Sequence, residues 1–355
     1  MLDPLEITSH RGPYRVRFEA RPFAGLEGGL NDAAHLIVDE RVARLHADRL
    51  GAALKARSVL RVEANEAAKS LEALPVYARH LIEHGVRRDH ELVAVGGGVV
   101  QDITAFLAAT LLRGMRWRFY PTTLLAQADS CIGSKSSINV GPHKNQLGTF
   151  TPPDEIVIAT STLATLDDRD LRSGIGEMIK AHIIAGWEDT RAIARDYVSM
   201  MSDPSLLLRY VRRSLEIKRR FAEIDEFDRG PRLVMNYGHT FGHALESASE
   251  YRLPHGIAVT IGMDMANAHA LRLGLIDAAV YDELHTLLDV NARGFEGVGV
   301  DAARFLAALG RDKKNVGKDL TLVLIEGGPG SLVVRRYPND DGFREGCLRY
   351  LERLA

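Results

Sequence analysis

The chain has 355 residues, 46% hydrophobic and 26% charged, which is enough for two domains with sizeable cores. Its net charge is −2 and its basic residues are scattered, which excludes the basic footprint of a nucleic-acid-binding protein. No uncharged apolar run approaches the roughly 18 residues that span a bilayer, which excludes an integral membrane protein. Because Cys131 and Cys347 cannot build a disulfide framework and the N-terminus lacks the apolar core of a signal peptide, we expect a cytoplasmic protein.

The first 160 residues alternate between strand-like and helical patterns. A helical pattern follows each of the first strand-like runs, and the one after residue 63 extends to about His84 with a perturbation near Pro75. Strands that alternate with helices predict an α/β layer with a parallel sheet. The strand-like runs are HLIVD (35–39), SVLRVE (58–63), ELVAV (91–95), MRWRFYP (115–121) and EIVIA (155–159).

After about Leu163 helical patterns dominate. Two short strand-like runs, LTLVLIE (320–326) and SLVVRR (331–336), are joined by GGPG and precede a last helix. An α/β domain followed by a mostly helical domain is therefore predicted, with a boundary near residues 160–168. The helical patterns cover Asp168–Ala185, Pro204–Ile224, Leu233–Glu250, Gly256–Leu273, Asp277–Val290 and Ala302–Asp312.

The run ELVAVGGGVVQD passes from a strand through three glycines, at residues 96–98, into a helix. Glycines let the backbone approach a ligand closely, and a helix N-terminus offers free N–H groups, so this turn suits a pyrophosphate. It is not the GxGxxG dinucleotide fingerprint, and a tight turn without a ligand is the alternative. Asp39 ends the first strand and could bind ribose hydroxyls, while Glu66 and Lys69 lie three residues apart on one face of the next predicted helix.

A second candidate site is the run YGHTFGHALESASEYRLP (237–254), which His255 follows. His239 and His243 are four residues apart and share a helix face, the spacing of many paired zinc ligands. The chain has 13 histidines, so two hydrogen-bonded helix histidines are an equally simple interpretation. Spacing by itself does not decide which of the three histidines binds a metal.

Seven short blocks then occur in a fixed order along the chain. They are GGGVVQD, PTTLLAQADSCIGSK, GPHKNQLG, RSGIGEMIK, RLVMNYGHTFGHALE, LPHG and DKKN. In this order they resemble the motifs of 3-dehydroquinate synthase and its sugar phosphate cyclase relatives, over about residues 35–325. The resemblance implies an α/β fold with an N-terminal Rossmann-like NAD-binding domain, residues 1–163, and a mostly α-helical metal- and substrate-binding domain, residues 164–355.

The resemblance also implies which residues hold the cofactors. A divalent metal, Zn²⁺ or Co²⁺, would be bound by Glu177, His239 and His255, with His243 outside the metal shell. One carboxylate and two imidazoles leave open positions for substrate oxygens, as in catalytic zinc sites. The residues that would contact NAD are Asp39, Glu66, Lys69, Gly97, Gly98, Asp102, Thr122 and Thr123.

The reaction implied by the resemblance closes a carbocycle from a phosphorylated seven-carbon sugar acid, 3-deoxy-arabino-heptulosonate 7-phosphate. NAD is regenerated in each turnover and phosphate leaves, so the enzyme would be a carbon–oxygen lyase of the shikimate pathway of aromatic amino acid biosynthesis. The implied substrate-binding and catalytic residues are Arg113, Asp129, Lys135, Asn145, Lys180, Lys218, Arg232, Asn236, His243, Lys313 and Lys314.

Two groups within that set have separate roles. Lys218 and Arg232 match the family's carboxylate-binding positions, and an arginine fork suits a carboxylate. In the family the equivalent of Arg113 reaches a neighbouring subunit, which implies a homodimer with shared active sites. The positions that match the family's phosphate-binding set are Arg113, Lys135, Asn145, Lys313 and Lys314.

Several residues depart from the family pattern. Gln101 stands where glycine is usual, Cys131 and Ser134 replace a serine and a glycine, Ser136-Ser137 replaces Thr-Gly, and His143 precedes Lys144. These changes leave open another sugar phosphate cyclase of secondary metabolism, acting on sedoheptulose 7-phosphate or a related sugar. A metal-dependent alcohol dehydrogenase with net NAD turnover is a more distant alternative.

Arg232 favours a substrate that carries a carboxylate. A neutral sugar has no use for a guanidinium at that position, and a buried guanidinium without a partner is costly. The sequence therefore predicts the sugar acid rather than the neutral sugar.

Overall fold

The computed structural model describes residues 2–141, 143–310 and 319–354. The chain forms two compact units. The first contains residues 1–167 and a returning segment, Arg219–Phe227, and the second contains Asp168–Lys218 and the rest of the chain from Asp228. This return to the first unit is absent from the sequence prediction, which has a single boundary.

The first unit is an α/β unit. Its helices are α1 (Glu40–Leu45), α2 (Ala47–Leu50), α3 (Leu74–Glu83) and α4 (Gly98–Thr110). Its strands are β1 (Leu5–Ser9), β2 (Gly12–Phe18), β3 (Ala34–Asp39), β4 (Val59–Val62), β5 (Glu91–Gly96), β6 (Arg116–Pro121), β7 (Lys135–Val140), β8 (His143–Phe150) and β9 (Glu155–Ile158).

Seven of these strands form one sheet in the order β1-β2-β9-β6-β5-β3-β4. All neighbouring pairs are parallel except β1 with β2. From β3 the chain goes outward to β4 and then crosses back to β5 on the other side of β3, so the strand order reverses between β3 and β5. Ligands of open α/β sheets bind at such a reversal, outside the carboxyl ends of the strands.

The second unit is mostly helical, as the sequence predicts. A hairpin of β10 (Asp319–Ile325) and β11 (Leu332–Pro338) accompanies the helices. The helices are α5 (Asp168–Ala185), α6 (Trp187–Ser202), α7 (Pro204–Ile224), α8 (His239–Ala248), α9 (His255–Arg272), α10 (Ala278–Ala292), α11 (Ala302–Gly310) and α12 (Asp341–Leu354). The last six residues of α7 belong to the first unit.

Helix α9 is the central helix of this unit. Every residue from Gly256 to Asn267 is buried. It packs against α5, α8, α10, α12 and β10, which surround it with other elements. A helix that is apolar on all sides is expected in such a position. None of the described helices is both long enough and apolar enough to cross a bilayer.

Two predicted helices are wrong in extent. The pattern after residue 63 is a series of turns until α3 begins at Leu74, because Pro75 starts this helix rather than perturbing it. The pattern over residues 233–250 divides at Gly238, whose φ of 78° is left-handed and cannot continue a helix. A 3₁₀ turn, Pro231–Asn236, therefore precedes α8.

Five elements are absent from the sequence prediction. They include the hairpin of β1 and β2, although both strands alternate buried and exposed residues over part of their length. The other three are the hairpin strands β7 and β8 and the helix α6.

Candidate active site

Glu177, His239 and His255 bring their ligand atoms together in the second unit. Glu177 lies within α5, while His239 and His255 are the first residues of α8 and α9. Glu177 Oε1 lies 3.6 Å from His239 Nε2 and 3.4 Å from His255 Nε2, and the ligand atoms all lie within 4.8 Å of one another. Donor atoms spaced in this way fit a divalent cation held at about 2.0–2.2 Å from each.

Glycines bring α5 and α9 close enough for this meeting. A Cβ atom on Gly176 would lie 2.2 Å from the carbonyl oxygen of Gly256, and one on Gly256 would lie 1.8 Å from that of Ser173. No side chain fits at either distance, so the two backbones are in direct contact. Gly176 precedes Glu177 and Gly256 follows His255, and the contact therefore places these two ligands side by side.

A second close approach joins α8 to α9. A Cβ atom on Gly262 would lie 2.2 Å from the carbonyl oxygen of Gly238 and 2.7 Å from the amide nitrogen of Gly242. Gly238 also provides the left-handed turn from which His239 begins α8. The glycines thus place His239 against the helix that begins with His255.

Hydrogen bonds orient both imidazoles. His239 Nδ1 lies 3.2 Å from the carbonyl oxygen of Tyr237, and His255 Nδ1 lies 3.3 Å from Glu246 Oε2. A carbonyl oxygen only accepts, so His239 carries its proton on Nδ1 and presents the Nε2 lone pair to Glu177. An ionised Glu246 has the same effect on His255, and this carboxylate–histidine arrangement is typical of metal-binding histidines.

The environment of Glu177 fits a bound cation. Its side chain is 1% exposed, and Lys180 Nζ donates to Oε2. The other oxygen, Oε1, is buried and has no hydrogen-bond partner among the described residues. Such an orphaned oxygen is costly unless a cation or donor satisfies it. The residues present therefore fit a divalent metal.

The pKa values agree with that fit. Burial would raise the pKa of Glu177, but Lys180 and then His255 hold it well below its usual range. Burial would lower the pKa of His255, but Glu246 and Glu177 raise it to about 10. The raised pKa favours the protonated form of His255 while no cation is bound, and a cation at Glu177 Oε1 would replace the proton on Nε2 and leave the proton on Nδ1 beside Glu246.

His243 lies beside these residues but outside their group. Its ring centroid is 5.3 Å from that of His239 and 5.9 Å from that of His255, and its side chain is exposed. It belongs to a second group, with Glu246 and His255, whose ligand atoms also lie within 4.8 Å of one another. His243 therefore lies next to the three candidate ligands without belonging to their group.

The first unit has its own candidate site at the carboxyl ends of β3, β5 and β6. Asp39 ends β3, where its Oδ1 accepts from the Arg41 amide at 2.8 Å and burial raises its pKa. Gly97 leads into α4, and a Cβ atom there would lie 2.9 Å from Thr123 Cγ2, so the space is open only to glycine. Thr122, next to β6, donates its amide to the Gly96 carbonyl at 2.9 Å.

These residues border the strand reversal between β3 and β5. The first amide groups of α4, from Gly98 onward, lie there as well. A helix N-terminus at the end of a buried parallel strand is a site for phosphate groups. The position therefore suits the dinucleotide that the sequence predicts.

A polar cluster centres on Asp102 of α4 and on Lys69, which lies in the turns between β4 and α3. Lys69 Nζ donates to Asp102 Oδ2 at 3.1 Å and to Asn145 Oδ1 at 3.0 Å. The Ser137 amide and hydroxyl donate to the two Asp102 oxygens at 3.1 and 2.9 Å. Burial raises the pKa of Asp102 and Lys69 opposes the shift. Ser137, one of the departures from the family pattern, thus links the predicted NAD residues to Asn145.

Glu66 is joined to the same cluster through Asn139. Asn139 Nδ2 donates to Glu66 Oε2 at 2.9 Å, and Asn139 Oδ1 accepts from the backbone amide of Asn145 at 2.9 Å. Lys69 Nζ lies 3.9 Å and Lys144 Nζ 3.6 Å from the Glu66 carboxylate. Glu66 and Lys69 are therefore close in space, but they are presented by turns rather than by the helix that the sequence predicts.

Gln101 fills the place of the usual glycine without entering the dinucleotide turn. Its Nε2 donates to the Ser130 carbonyl at 2.7 Å, and its Oε1 accepts from the Ser130 hydroxyl at 2.6 Å. The side chain is buried against the segment that carries Asp129. This departure is a structural link between α4 and the loop after β6.

The other predicted residues of the first unit are less buried. Asp129 lies in one turn of π-helix, Ala126–Ser130, and Lys135 is the exposed first residue of β7. Arg113 is exposed and has a φ of 65°, next to Leu112 at 52°. Two adjacent left-handed non-glycine residues are strained, which is common at functional sites.

In the second unit, three predicted cations are buried. Lys180 is 3%, Lys218 7% and Arg232 4% exposed. Asn236 ends the 3₁₀ turn that begins at Pro231, and its Nδ2 donates to the Leu233 carbonyl at 3.2 Å. Lys313 and Lys314 lie outside the residues that the structure describes.

Sequence reasoning missed Glu246 and the two glycine contacts. A signal for Glu246 exists, because it lies three residues after His243 and seven after His239, on the same face of a predicted helix. Gly176 and Gly262 lie inside predicted helices, where a glycine is destabilising and so suggests a close packing contact, and Gly256 is the first residue of a predicted helix.

Comparison with known proteins also divides the chain into an N-terminal and a C-terminal part. The sequence model of the 3-dehydroquinate synthase N-terminal part matches residues 59–173, and that of the C-terminal part matches residues 174–315. The 3-dehydroquinate synthase of Streptococcus sanguinis (strain SK36) is 34% identical over 299 residues, covering 82% of this chain and 83% of the relative. That of Dictyoglomus thermophilum (strain ATCC 35947 / DSM 3960 / H-6-12) is 38% identical over 270 residues, 75% of each.

A solved structure extends this comparison to the fold. The 2-epi-5-epi-valiolone synthase of Streptomyces hygroscopicus subsp. jinggangensis 5008, with NAD⁺ and Zn²⁺ bound, has a TM-score of 0.81 at 27% identity and covers 99% of both chains. Identity of this level over most of the curated relatives' length, together with both sequence models, establishes common descent. The chain belongs to the 3-dehydroquinate synthase family.

Proposed function

We propose that this protein is an NAD- and metal-dependent cyclase that acts as a 3-dehydroquinate synthase. The substrate would be 3-deoxy-arabino-heptulosonate 7-phosphate, and phosphate would leave, which makes the enzyme a carbon–oxygen lyase. The observation that carries the proposal is the convergence of Glu177 Oε1 and the Nε2 atoms of His239 and His255, within 4.8 Å of one another. It would provide a three-ligand metal site with open positions.

The cofactors would supply transient oxidation of one secondary alcohol and polarisation of its oxygen. The chain's own residues would bind and orient the substrate. His243, exposed beside the metal ligands, would exchange protons with the substrate, because an imidazole titrates near neutral pH. The buried cations Lys218 and Arg232 would hold the carboxylate, and Lys135 with Asn145 would hold the phosphate.

NAD would bind where the first unit offers α4 and the ends of β3, β5 and β6. Asp39 would accept from ribose hydroxyls, and the Gly97–Gly98 turn would leave room for the pyrophosphate. The 2-epi-5-epi-valiolone synthase that resembles this fold was solved with NAD⁺ and Zn²⁺ bound, which supports this cofactor pair.

Substrate choice between a sugar acid and a neutral sugar depends on Arg232. It is only 4% exposed, and the planar guanidinium of an arginine can bind a carboxylate through two parallel hydrogen bonds. The departures from the family pattern around Lys135 keep the neutral sugar, sedoheptulose 7-phosphate, as the second candidate. The buried arginine favours the acid.

The test is a competition between the two sugars on purified protein with NAD and Zn²⁺, followed by phosphate release. We expect faster turnover of the acid without accumulation of NADH. Arg232→Leu should lose turnover of the sugar acid and retain that of the neutral sugar. Arg229→Leu, at an exposed position three residues earlier, is the control. Faster turnover of the neutral sugar would replace the proposed substrate, and stoichiometric NADH would indicate a dehydrogenase.

We also propose a homodimer in which Arg113 completes the partner's phosphate site. The support is the exposed turn at Leu112–Arg113, in which both residues have a strained left-handed φ. Sedimentation equilibrium should give a dimer. A fully active monomer would contradict this proposal.

A further inference from the structure

We propose that Glu226 and Phe227 form a clamp that positions Lys135 for phosphate binding. The clamp, defined as these two residues, lies in the segment Arg219–Phe227 that returns to the first unit. The proposal rests on the proposed function, in which Lys135 contacts the substrate phosphate. Neither clamp residue is proposed to touch the phosphate itself, and both act through neighbours of Lys135, Glu226 through Ser134 before it in the chain and Phe227 through Phe150 across from it on β8.

Glu226 holds the turn that precedes Lys135. Its Oε1 accepts from the Ser134 hydroxyl and from His10 Nδ1 at 3.0 Å, and its Oε2 accepts from the His10 amide at 2.7 Å. The carboxylate is 10% exposed, so these bonds are largely shielded from water. Hydrogen bonds to a charged group are stronger than those between neutral groups. One side chain thereby joins the β1–β2 turn to the residue next to Lys135.

Phe227 holds the strand opposite Lys135. Lys135 of β7 pairs with Phe150 of β8. The Phe227 ring packs edge-on against Phe150, with centroids 4.9 Å apart, and lies 5.4 Å from the His10 ring. The residue beside Lys135 and the residue across from it are therefore both held by consecutive residues of one segment.

The backbone of Ser134 shows why the turn needs such support. Its φ of 65° is left-handed, a conformation that is strained for a non-glycine residue. Glycine would adopt this φ freely. In this chain a buried serine adopts it, and the hydroxyl that glycine lacks is the group that binds Glu226. The bond to Glu226 thus offsets strain that the serine introduces.

Two further bonds limit how the turn can respond. The Gly133 amide donates to Tyr14 Oη at 3.0 Å, and the Thr151 amide donates to the Ser134 carbonyl at 2.7 Å. These bonds hold the backbone before and after the Ser134 side chain independently of Glu226. Loss of the clamp should therefore shift the Lys135 direction without unfolding the loop.

The experiment compares Glu226→Ala, Glu226→Gln and Phe227→Ala with Glu223→Ala. Glu223 is the matched control, because its Oε1 accepts from the Thr8 amide at 2.9 Å and so ties the same hairpin to the same segment without contacting the turn. Binding of inorganic phosphate is measured by calorimetry on the NAD- and Zn²⁺-loaded protein. Substrate KM and kcat are measured in parallel.

We expect Glu226→Ala and Phe227→Ala to weaken phosphate binding and raise KM about tenfold, with kcat and NAD affinity within about a factor of two of wild type. Glu226→Gln should give phosphate binding and KM between those of wild type and Glu226→Ala, because its amide oxygen still accepts one hydrogen bond. Ser134→Ala should weaken phosphate binding more than Ser134→Gly, since alanine keeps the strain of the left-handed φ and loses the hydrogen bond to Glu226. Glu223→Ala should resemble wild type.

Unchanged phosphate binding in Glu226→Ala and Phe227→Ala would overturn the clamp. So would equal losses in kcat and Tm without a change in KM, which would indicate a merely structural role. If Glu226→Ala does not fold, Glu226→Gln and the Ser134 pair decide the question. Phosphate binding needs no turnover, so a wild-type protein that binds phosphate but converts neither sugar would reject the proposed function and leave the clamp testable.

Discussion

At the residue scale, the three histidines differ in what their ring nitrogens face. The Nε2 atoms of His239 and His255 face the orphaned Glu177 oxygen, and their Nδ1 atoms are held by acceptors. His243 is exposed and outside that group. The assignment of Glu177, His239 and His255 as metal ligands stays a prediction, and the geometry shows how to test it.

We predict that His239→Ala and His255→Ala lose tightly bound zinc, whereas His243→Ala retains it. Removing one of three ligands leaves too few donors for a catalytic site, while His243 contributes none. Zinc content after dialysis, measured by atomic absorption, checks the prediction, and catalytic activity should fall in all three variants. Loss of zinc from His243→Ala would place this residue in the metal shell.

Glu246→Ala should weaken zinc affinity about 10–100-fold, the usual effect of removing a residue that orients a metal ligand. Without the Glu246 carboxylate, no acceptor holds the Nδ1 proton of His255, so the ring can rotate and its Nε2 is no longer held towards the metal. Glu246→Gln should lose less zinc affinity than Glu246→Ala, because its amide oxygen can still accept from His255 Nδ1. Chelator competition measures the affinity, with Glu250→Ala, at an exposed position on the same segment, as control. Equal affinities in all variants would remove Glu246 from the site.

At the scale of elements, the three candidate metal ligands lie together because glycines bring α5 and α8 into contact with α9. Gly256→Ala would place a methyl group against the Ser173 carbonyl, because a Cβ atom in its ideal position would lie 1.8 Å from that carbonyl oxygen. Overpacking of this kind costs about 1–3 kcal/mol, and α5 would have to move away from α9. We predict a lower free energy of unfolding and weaker zinc binding, measured by urea denaturation and chelator competition.

Gly346→Ala is the control for that change. Gly346 lies inside α12, where a Cβ atom would meet nothing nearer than the Arg272 side chain at 3.9 Å. Alanine there should stabilise the protein by about 0.5–1 kcal/mol, because it reduces the entropy of the unfolded chain. If both alanines had the same effect, the helix contact would not be the reason for the glycine at 256.

At the scale of the whole molecule, a buried carboxylate joins three helices of the second unit. Asp264 of α9 is 3% exposed, lies 2.8 Å from His285 Nδ1 of α10, and accepts from the hydroxyl of Tyr350 on α12. The hydrogen bond to Asp264 raises the pKa of His285 above its usual value, against a smaller opposing effect of burial. The neighbouring Tyr281 ring stacks on His285, and its own pKa is raised to about 12.

This pair makes stability depend on pH. Because the folded-state pKa of His285 is raised, its contribution is fully present below the unfolded pKa of about 6.5 and is lost as pH rises through the folded pKa. We predict that the difference in unfolding free energy between wild type and His285→Gln is larger at acidic than at alkaline pH. Urea denaturation across that range measures it. A difference that grows with pH would contradict the assigned direction.

The sequence by itself determined the family, the fold class and most of the elements. Helices α5 and α7 have the predicted bounds, Asp168–Ala185 and Pro204–Ile224, and β5 ends in the predicted glycine turn. Family motifs and hydrophobic periodicity are local properties of the chain, which is why they can be read without a structure. The motif order also named Glu177, His239 and His255 as candidate metal ligands, although spacing alone did not.

Only the tertiary structure decided which side chains act on one another across the chain. It joined Ser134 to Glu226, 92 residues apart, and set His255 Nδ1 against Glu246. It also showed that Glu66 and Lys69 meet through turns, since Pro75 begins a helix that the sequence pattern had extended backward. Such contacts depend on how separate elements pack and on the direction of each side chain, and neither is encoded in the local spacing of residues.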